Sequence, residues 1–203
     1  MNAPRTPPGL RRASAWIFVL IALLLTLFLY AIRAGLDWQS LLRPGGIRLF
    51  FDGHDLTVYL RSSNWVVGSG RLYQEVFSEY PLLANLVFGL VRGVSEALRS
   101  GRNGFYVVWM AFALMAYITG VYQVHRHAPK ENIWIWLALG PLYFSLFRFD
   151  IYPALTTLLA LCAIRGRRHL EGTIWLGITA AFKGYALFLL PAYVVFLSHD
   201  VVR

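Results

Sequence analysis

ASAWIFVLIALLLTLFLYAI, residues 13–32, is the stretch that decides the class of this protein. Its twenty residues carry no charge, and as a helix they would cover about 30 Å, the thickness of a bilayer's hydrocarbon core. Arg5, Arg11 and Arg12 precede it, in the manner of the n-region of a secretory signal. The run exceeds the apolar core of an ordinary signal, and no small-x-small cleavage pattern precedes Arg33. It reads as a retained signal anchor. A second run, GFYVVWMAFALMAYITGVYQV at 104–124, is equally free of charge. Shorter apolar runs occupy 132–147 and 151–164, separated by Arg148-Phe149-Asp150. Residues 172–198 are apolar except for Lys183 near the middle.

The chain as a whole is 58% hydrophobic and 16% aromatic, with a mean hydropathy of +0.54, which argues against a soluble globular domain. A net charge of +9 would suggest nucleic acid in a soluble protein. Here the arginines sit in short loops between apolar runs, where they set topology, and no nucleic-acid partner is expected. Cys162 is the lone cysteine and forms no internal disulfide; the histidines are scattered without a CxxC or HExxH pattern, so no metal site is expected. The expected fold is all-α, a polytopic transmembrane helix bundle forming one membrane domain. Residues 1–12 form a cytoplasmic tail, 13–32 the first span, 33–80 an extracytoplasmic loop and 81–203 the remaining helices.

Charge bias sets the orientation. With the N-terminus inside and 81–98 as a full crossing, Arg126, Lys130, Arg165, Arg167 and Arg168 would all lie outside, against the positive-inside rule. If 81–98 instead enters and returns, or lies in the interface, both clusters fall inside with Arg5, Arg11 and Arg12. Arg92 and Glu96 within that segment favour the second arrangement. The loop at 52–81 and Arg148-Phe149-Asp150 then share the outer face of a cell membrane protein. For 172–198 two readings stand: one tilted span with Lys183 at mid-depth, or two half-helices meeting near Lys183. Either leaves a cation within the membrane, expensive unless it faces a cavity or a partner.

The loop at 52–81 carries four acids and two arginines, more charge than a connection between spans requires. Leu56, Tyr59, Leu60, Ser63 and Val67 recur with helical spacing, which predicts an amphipathic helix on the membrane surface, ended by Gly68 and Gly70. Asp55 falls at its N-terminus, where a cap and a general base are both open readings; Asp52 is the second candidate base. Arg148 suits a phosphate clamp with Asp150 as its orienting partner, or the pair simply forms a tight turn. Lys183 suits neutralisation of a departing phosphate. Arg61, Tyr59, Glu79 and Tyr80 complete the candidate substrate- and phosphate-binding residues, while Glu79-Tyr80-Pro81 also fits the start of a helix.

DLTVYLRSSNWVVGSGRLYQEVFSEYPLL, residues 55–83, resembles the first extracytoplasmic loop of glycosyltransferase family 87, polytopic enzymes of the GT-C class. GPLYFSLFRFDIYPALTTLLALCAIRGRRHLEGTIWLGITAAFKGYALFLLP, residues 140–191, resembles that family's later pattern: Arg-x-Asp, Pro-Ala, a basic inner loop, an alanine-rich helix, then lysine. Together the two cover about 80 of 203 residues in the family's order. The family's loop aspartate, its presumed base, maps onto Asp55, and its lysine onto Lys183. Its Tyr-Pro-Pro-Leu signature maps onto Tyr80-Pro81-Leu82-Leu83, with Leu82 in place of the second proline. Its Lys-x-Tyr-Pro reads Lys183-Gly184-Tyr185-Ala186 here.

The resemblance implies an inverting, mannosyltransferase-like enzyme of the cell envelope. It would move a hexose from a polyprenyl-phosphate sugar donor to an extracytoplasmic hydroxyl on a glycan or glycolipid acceptor within the lipid bilayer, without a cofactor. Family members continue with further spans, so the chain matches their first half, as a fragment or as a truncated product. A non-catalytic membrane scaffold or transport-related fragment is the rival reading, with its polar residues as topological anchors and helix-packing contacts.

Overall fold

The computed structural model describes residues 8–33, 54–68, 70–75, 78–99, 101–127, 135–136, 138–191 and 193–195. Among these the protein is all-α, with no β-strand. In chain order the elements are α1 (Pro8–Arg33), α2 (His54–Ser62), a 3-10 turn at Asn64–Val67, α3 (Leu82–Ala97), α4 (Gly101–His127), α5 (Leu139–Phe147), α6 (Ile151–Arg165), α7 (His169–Phe182) and a 3-10 segment at Gly184–Leu189.

Helix α4 is the axis of the structure, packing against α1, α2, α3, α5 and α6. Phe105, Trp109, Ala113 and Tyr117, each one turn from the last, are buried along it. Most of its exposed positions are apolar too: Val107, Met115 and Tyr122 face outward, with the polar exceptions Thr119 and Arg126 toward its C-terminal end. A helix apolar on every side belongs to a large core or to a bilayer. Its stretch Gly104–His127 is long and apolar enough to cross a membrane, at about 36 Å. The pair Pro141–Phe147 and Ile151–Arg165 passes the same test jointly, although bent by 110° at the break. In α1 the outward surface is equally apolar, with Leu20, Leu24, Leu27 and Phe28 exposed.

Three expectations are corrected or resolved by the helices themselves. Of the two arrangements offered for 81–98 in place of a full crossing, entry and return does not fit the helix, and a helix lying in the interface remains. Pro81 stands immediately before α3, whose sixteen residues form one unbroken helix, about 24 Å long. Arg92 is accommodated in it by an ion pair with Glu96 one turn on, at 2.7 Å. Of the two readings of 172–198, the broken one holds: α7 ends at Phe182, Lys183 is extended, and the chain resumes as 3-10. The apolar stripe of α2 faces protein rather than lipid. Leu56, Tyr59 and Ser63 are buried, and Tyr59 stacks on Phe88 of α3 and lies against Trp109 of α4. The α-helix tightens into 3-10 geometry after Ser63, whose hydroxyl bonds back to the Leu60 carbonyl at 2.7 Å. That tightening carries Val67 out of the stripe into an exposed position. Gly68 closes the turn in the left-handed conformation at φ +78°.

The turn is seated by Gly89 of α3. A Cβ at Gly89 would lie 2.5 Å from Cζ2 of Trp65, so only glycine lets the indole lie on the helix. Replacing Gly89 with Ala is expected to overpack this contact at a cost of about 1–3 kcal/mol. At Gly93, where an added Cβ meets nothing within 4 Å, Ala should be neutral or stabilising by up to about 1 kcal/mol. Thermal unfolding of the two variants in detergent checks both signs.

Candidate active site

The site forms where the chain breaks between α5 and α6. Phe147 ends one helix, Arg148 is extended (φ −110°, ψ 141°), and Asp150 returns to helical geometry ahead of Ile151. Such a break exposes backbone groups that need partners. Two side chains from elsewhere supply them. Trp109 of α4 donates its indole N–H to the Leu146 carbonyl at 2.9 Å. The Tyr59 hydroxyl of α2 accepts the Phe149 N–H, also at 2.9 Å. A helix from the long loop and a helix from the bundle therefore grip the same break.

Phe149 is the peg. It is 2% exposed and meets Tyr80, Phe88, Tyr152 and Phe182, with ring centroids 5.5–6.0 Å apart. Tyr80 and Phe88 also contact each other and Tyr59. Tyr80 is fixed from below by Asn85, which is fully buried. The Asn85 amide donates to the Tyr80 carbonyl at 2.7 Å and to the Tyr73 hydroxyl at 2.9 Å, while its oxygen accepts from Ser78 at 2.8 Å. The Tyr73 hydroxyl also donates to the Tyr80 carbonyl, at 2.6 Å.

Four charges from three separate segments surround this aromatic hub. Asp55 lies in the first turn of α2, where the helix dipole favours a carboxylate. It meets Arg148 at 2.5 Å. On the other flank of Phe149, Asp150 pairs with Lys183. Arg148 is thus oriented by Asp55, and Asp150 serves Lys183 instead of Arg148. The extended backbone at Arg148 followed by helical backbone at Asp150 sends the two side chains to different partners. Lys183 is set at its place by the interruption after α7, next to Phe182, whose ring touches Phe149.

Burial holds Tyr59 above the ordinary tyrosine range; the Phe149 N–H opposes this, while Tyr80, Asp55 and Asp150 reinforce it. Burial likewise raises Tyr80, followed by the charges of Asp55 and Glu79, with Asp150 adding less. Both carboxylates bear on both phenols, and Phe149, between Arg148 and Asp150 in sequence, bonds Tyr59 and touches Tyr80, so the two ion pairs flank one aromatic centre. The phenols stay neutral, and Tyr59, at 2% exposure, lies beneath the pairs as their support. The charged groups are open: Asp55 is 24% exposed and Arg148, Lys183 and Asp150 about half exposed. Exposed pairs of this kind are worth about 0–1 kcal/mol each, so an incoming anion displaces them at little cost.

Asp55, Arg148, Asp150, Lys183, Tyr59 and Tyr80 converge here. Glu79 is exposed beside Tyr80, Arg61 lines a separate groove with Arg92, and Asp52 lies outside the described residues. Sequence reasoning passed over Trp109, Phe88, Phe149 and Asn85. Phe149 alone had a visible signal, its place between two charges; the others look like ordinary apolar or helical residues until the helices pack.

Changing Tyr59 to Phe removes the acceptor for a buried N–H, at an expected cost of about 1–3 kcal/mol. The Phe149 amide should then exchange with solvent faster than in the parent, as read by hydrogen–deuterium exchange. Because the phenol is held protonated in the folded state, its share of stability is intact below about pH 10 and is lost as pH rises further. Tyr59→Phe should flatten that alkaline decline in unfolding measurements.

Compared with known proteins, the chain matches no family model, no curated protein and no solved structure.

Proposed function

We propose that this chain belongs to a polytopic membrane glycosyltransferase of the GT-C class, resembling family 87, with its N-terminus cytoplasmic and its site on the outer face of the cell membrane. It transfers a mannose-like hexose from a polyprenyl-phosphate donor to an acceptor hydroxyl, with inversion. The observation that carries this reading is the contact between Asp55 of the loop helix and Arg148 of the helix break, with Asp150 and Lys183 beside it. One carboxylate, two cations and a second carboxylate around a dry aromatic floor match the needs of acid–base chemistry next to a phosphate.

The mechanism follows from the weakness of the exposed pairs. A lipid phosphate entering between Arg148 and Lys183 competes with Asp55 and Asp150 for them. Arg148 offers a planar fork suited to two phosphate oxygens, and Lys183 a compact charge. Asp55, released from Arg148, accepts the proton of the acceptor hydroxyl. The acceptor oxygen bonds to the anomeric carbon as the bond from that carbon to the phosphate oxygen breaks. The phosphate departs with the electron pair, and its charge rests against the two cations. Attack from the face opposite the phosphate gives inversion. The exposed apolar surfaces of α1 and α4 support placement in a bilayer, where such a donor resides.

Membranes carrying the chain, incubated with labelled polyprenyl-phosphate mannose and a glycolipid acceptor, test the reading. Asp55→Asn should lower transfer by about 10²–10⁴-fold, the usual contribution of a positioned base, with expression unchanged. Arg148→Gln should raise the donor KM as well as lower kcat, since the clamp acts on bound donor and on the leaving group. Transfer that persists in Asp55→Asn removes Asp55 as the base. No transfer by the parent chain favours the scaffold reading.

A further inference from the structure

Helix α2 carries a second face with no part in the chemistry above. Thr57, Leu60 and Arg61 of α2, Asn64 of the following 3-10 turn and Arg92 of α3 line a groove of about 350 Å³. That volume lies near the lower end of small-ligand pockets, about 300–1,000 Å³. Arg61 is six residues beyond Asp55, about 9 Å along the helix and about 120° around it. The groove is therefore a different place from the pairs at Phe149.

Its chemistry is cationic with hydrogen-bond donors. Arg61 is exposed at its mouth. Arg92 is only 17% exposed, and its terminal nitrogen engages Glu96 at 2.7 Å. Its Nε is buried with no hydrogen-bond partner among the described residues, and the same holds for Nε1 of Trp65 in the adjoining 3-10 turn. Buried donors normally have partners, and a guanidinium presents more donors than one carboxylate takes up. Glu96, at 44% exposure, is a weak, solvent-screened counterion. Two arginines from different helices line the groove and no acid among the described residues does, so with Glu96 paired to Arg92 alone the groove carries net positive charge. The Thr57 hydroxyl and the Asn64 side chain add neutral polar groups to its wall. The turn that forms one side of the groove is held on α3 by the Trp65–Gly89 contact, so the two guanidinium groups are carried on packed elements.

We infer that the Arg61–Arg92 groove is a binding site for an anionic phosphate ester, separate from the Asp55–Arg148 site and independent of glycosyl transfer. A phospholipid headgroup and a soluble phosphate share this chemistry, and two probes separate them. The purified full chain is titrated with short-chain phosphatidylglycerol and with inorganic phosphate, binding being read by phosphorus NMR. Arg61→Gln and Arg92→Gln should each weaken binding about tenfold, the loss of one charge-assisted hydrogen bond. Glu96→Gln should tighten binding several-fold by removing the competing acid. Arg126→Gln, on the exposed end of α4, should leave it unchanged. Arg dependence with phosphatidylglycerol alone assigns the groove to a membrane headgroup; the same dependence with inorganic phosphate assigns it to a soluble phosphate. The inference fails if neither probe binds, or if Arg61→Gln, at an exposed side chain that the fold does not need, behaves like Arg126→Gln. Transfer activity plays no part in this readout, so a failed glycosyltransferase assay leaves it intact.

Discussion

The hydrogen bond from the Phe149 amide to the Tyr59 hydroxyl is the constraint around which the rest of the structure is arranged. A helix break inside an apolar core leaves a buried N–H that needs a partner from elsewhere in the chain. The partner comes from a residue 90 positions earlier, on a helix that belongs to a loop. Once that bond is made, α2 must lie against α3 and α4, because the same tyrosine ring stacks on Phe88 and Trp109. The first turn of α2 then falls beside Arg148, and Asp55 reaches it.

Magnitudes separate what holds the site from what the site does. Fully buried aromatic rings such as Trp109, Phe88 and Phe149 each contribute several kilocalories, about 3–5 kcal/mol on truncation. The exposed ion pairs contribute about 0–1 kcal/mol each. The charges therefore do not hold the helices together; the rings do. In the proposed reading this division suits binding, because a phosphate would take Arg148 and Lys183 from their carboxylates without loosening the floor. Had the pairs been buried and dry, breaking one would have cost about 3–5 kcal/mol, and an entering ligand would have had to overcome it.

Composition and periodicity made the all-α character and the long apolar helix α4 legible, because a run without charge has few alternatives. The break at Arg148-Phe149-Asp150 was legible for the same reason, as charge interrupting an apolar run. Which carboxylate would face which cation was not. Arg148 and Asp150 are two residues apart in sequence, yet the change from extended to helical backbone between them sends each to a distant partner. The direction in which α2 buries its stripe was also hidden. Leu56 and Tyr59 would serve lipid or protein equally well, and only the rings of Phe88 and Trp109 decide. The interruption at Lys183 was one of two readings, since a lysine within an apolar run marks a cost without saying how the backbone relieves it. Asn85 gave no signal, because a single amide in an apolar helix acquires meaning only when Tyr73, Ser78 and the Tyr80 carbonyl close around it.

Helix α2 shows why tertiary packing, not local propensity, sets the chemistry. It has nine residues, whereas isolated helices shorter than about 12–15 are marginal in water. Its persistence depends on Leu56 and Tyr59 being buried against the bundle. Those two residues occupy one side, which leaves Asp55 at one edge, toward the helix break, and Arg61 at another, toward Arg92. A short helix docked by a single aromatic anchor thus presents a carboxylate and a guanidinium to two different surroundings at fixed separation. The same residues in a free loop would sample both, and neither the acid at Arg148 nor the cation in the groove would be held in place for a ligand to meet.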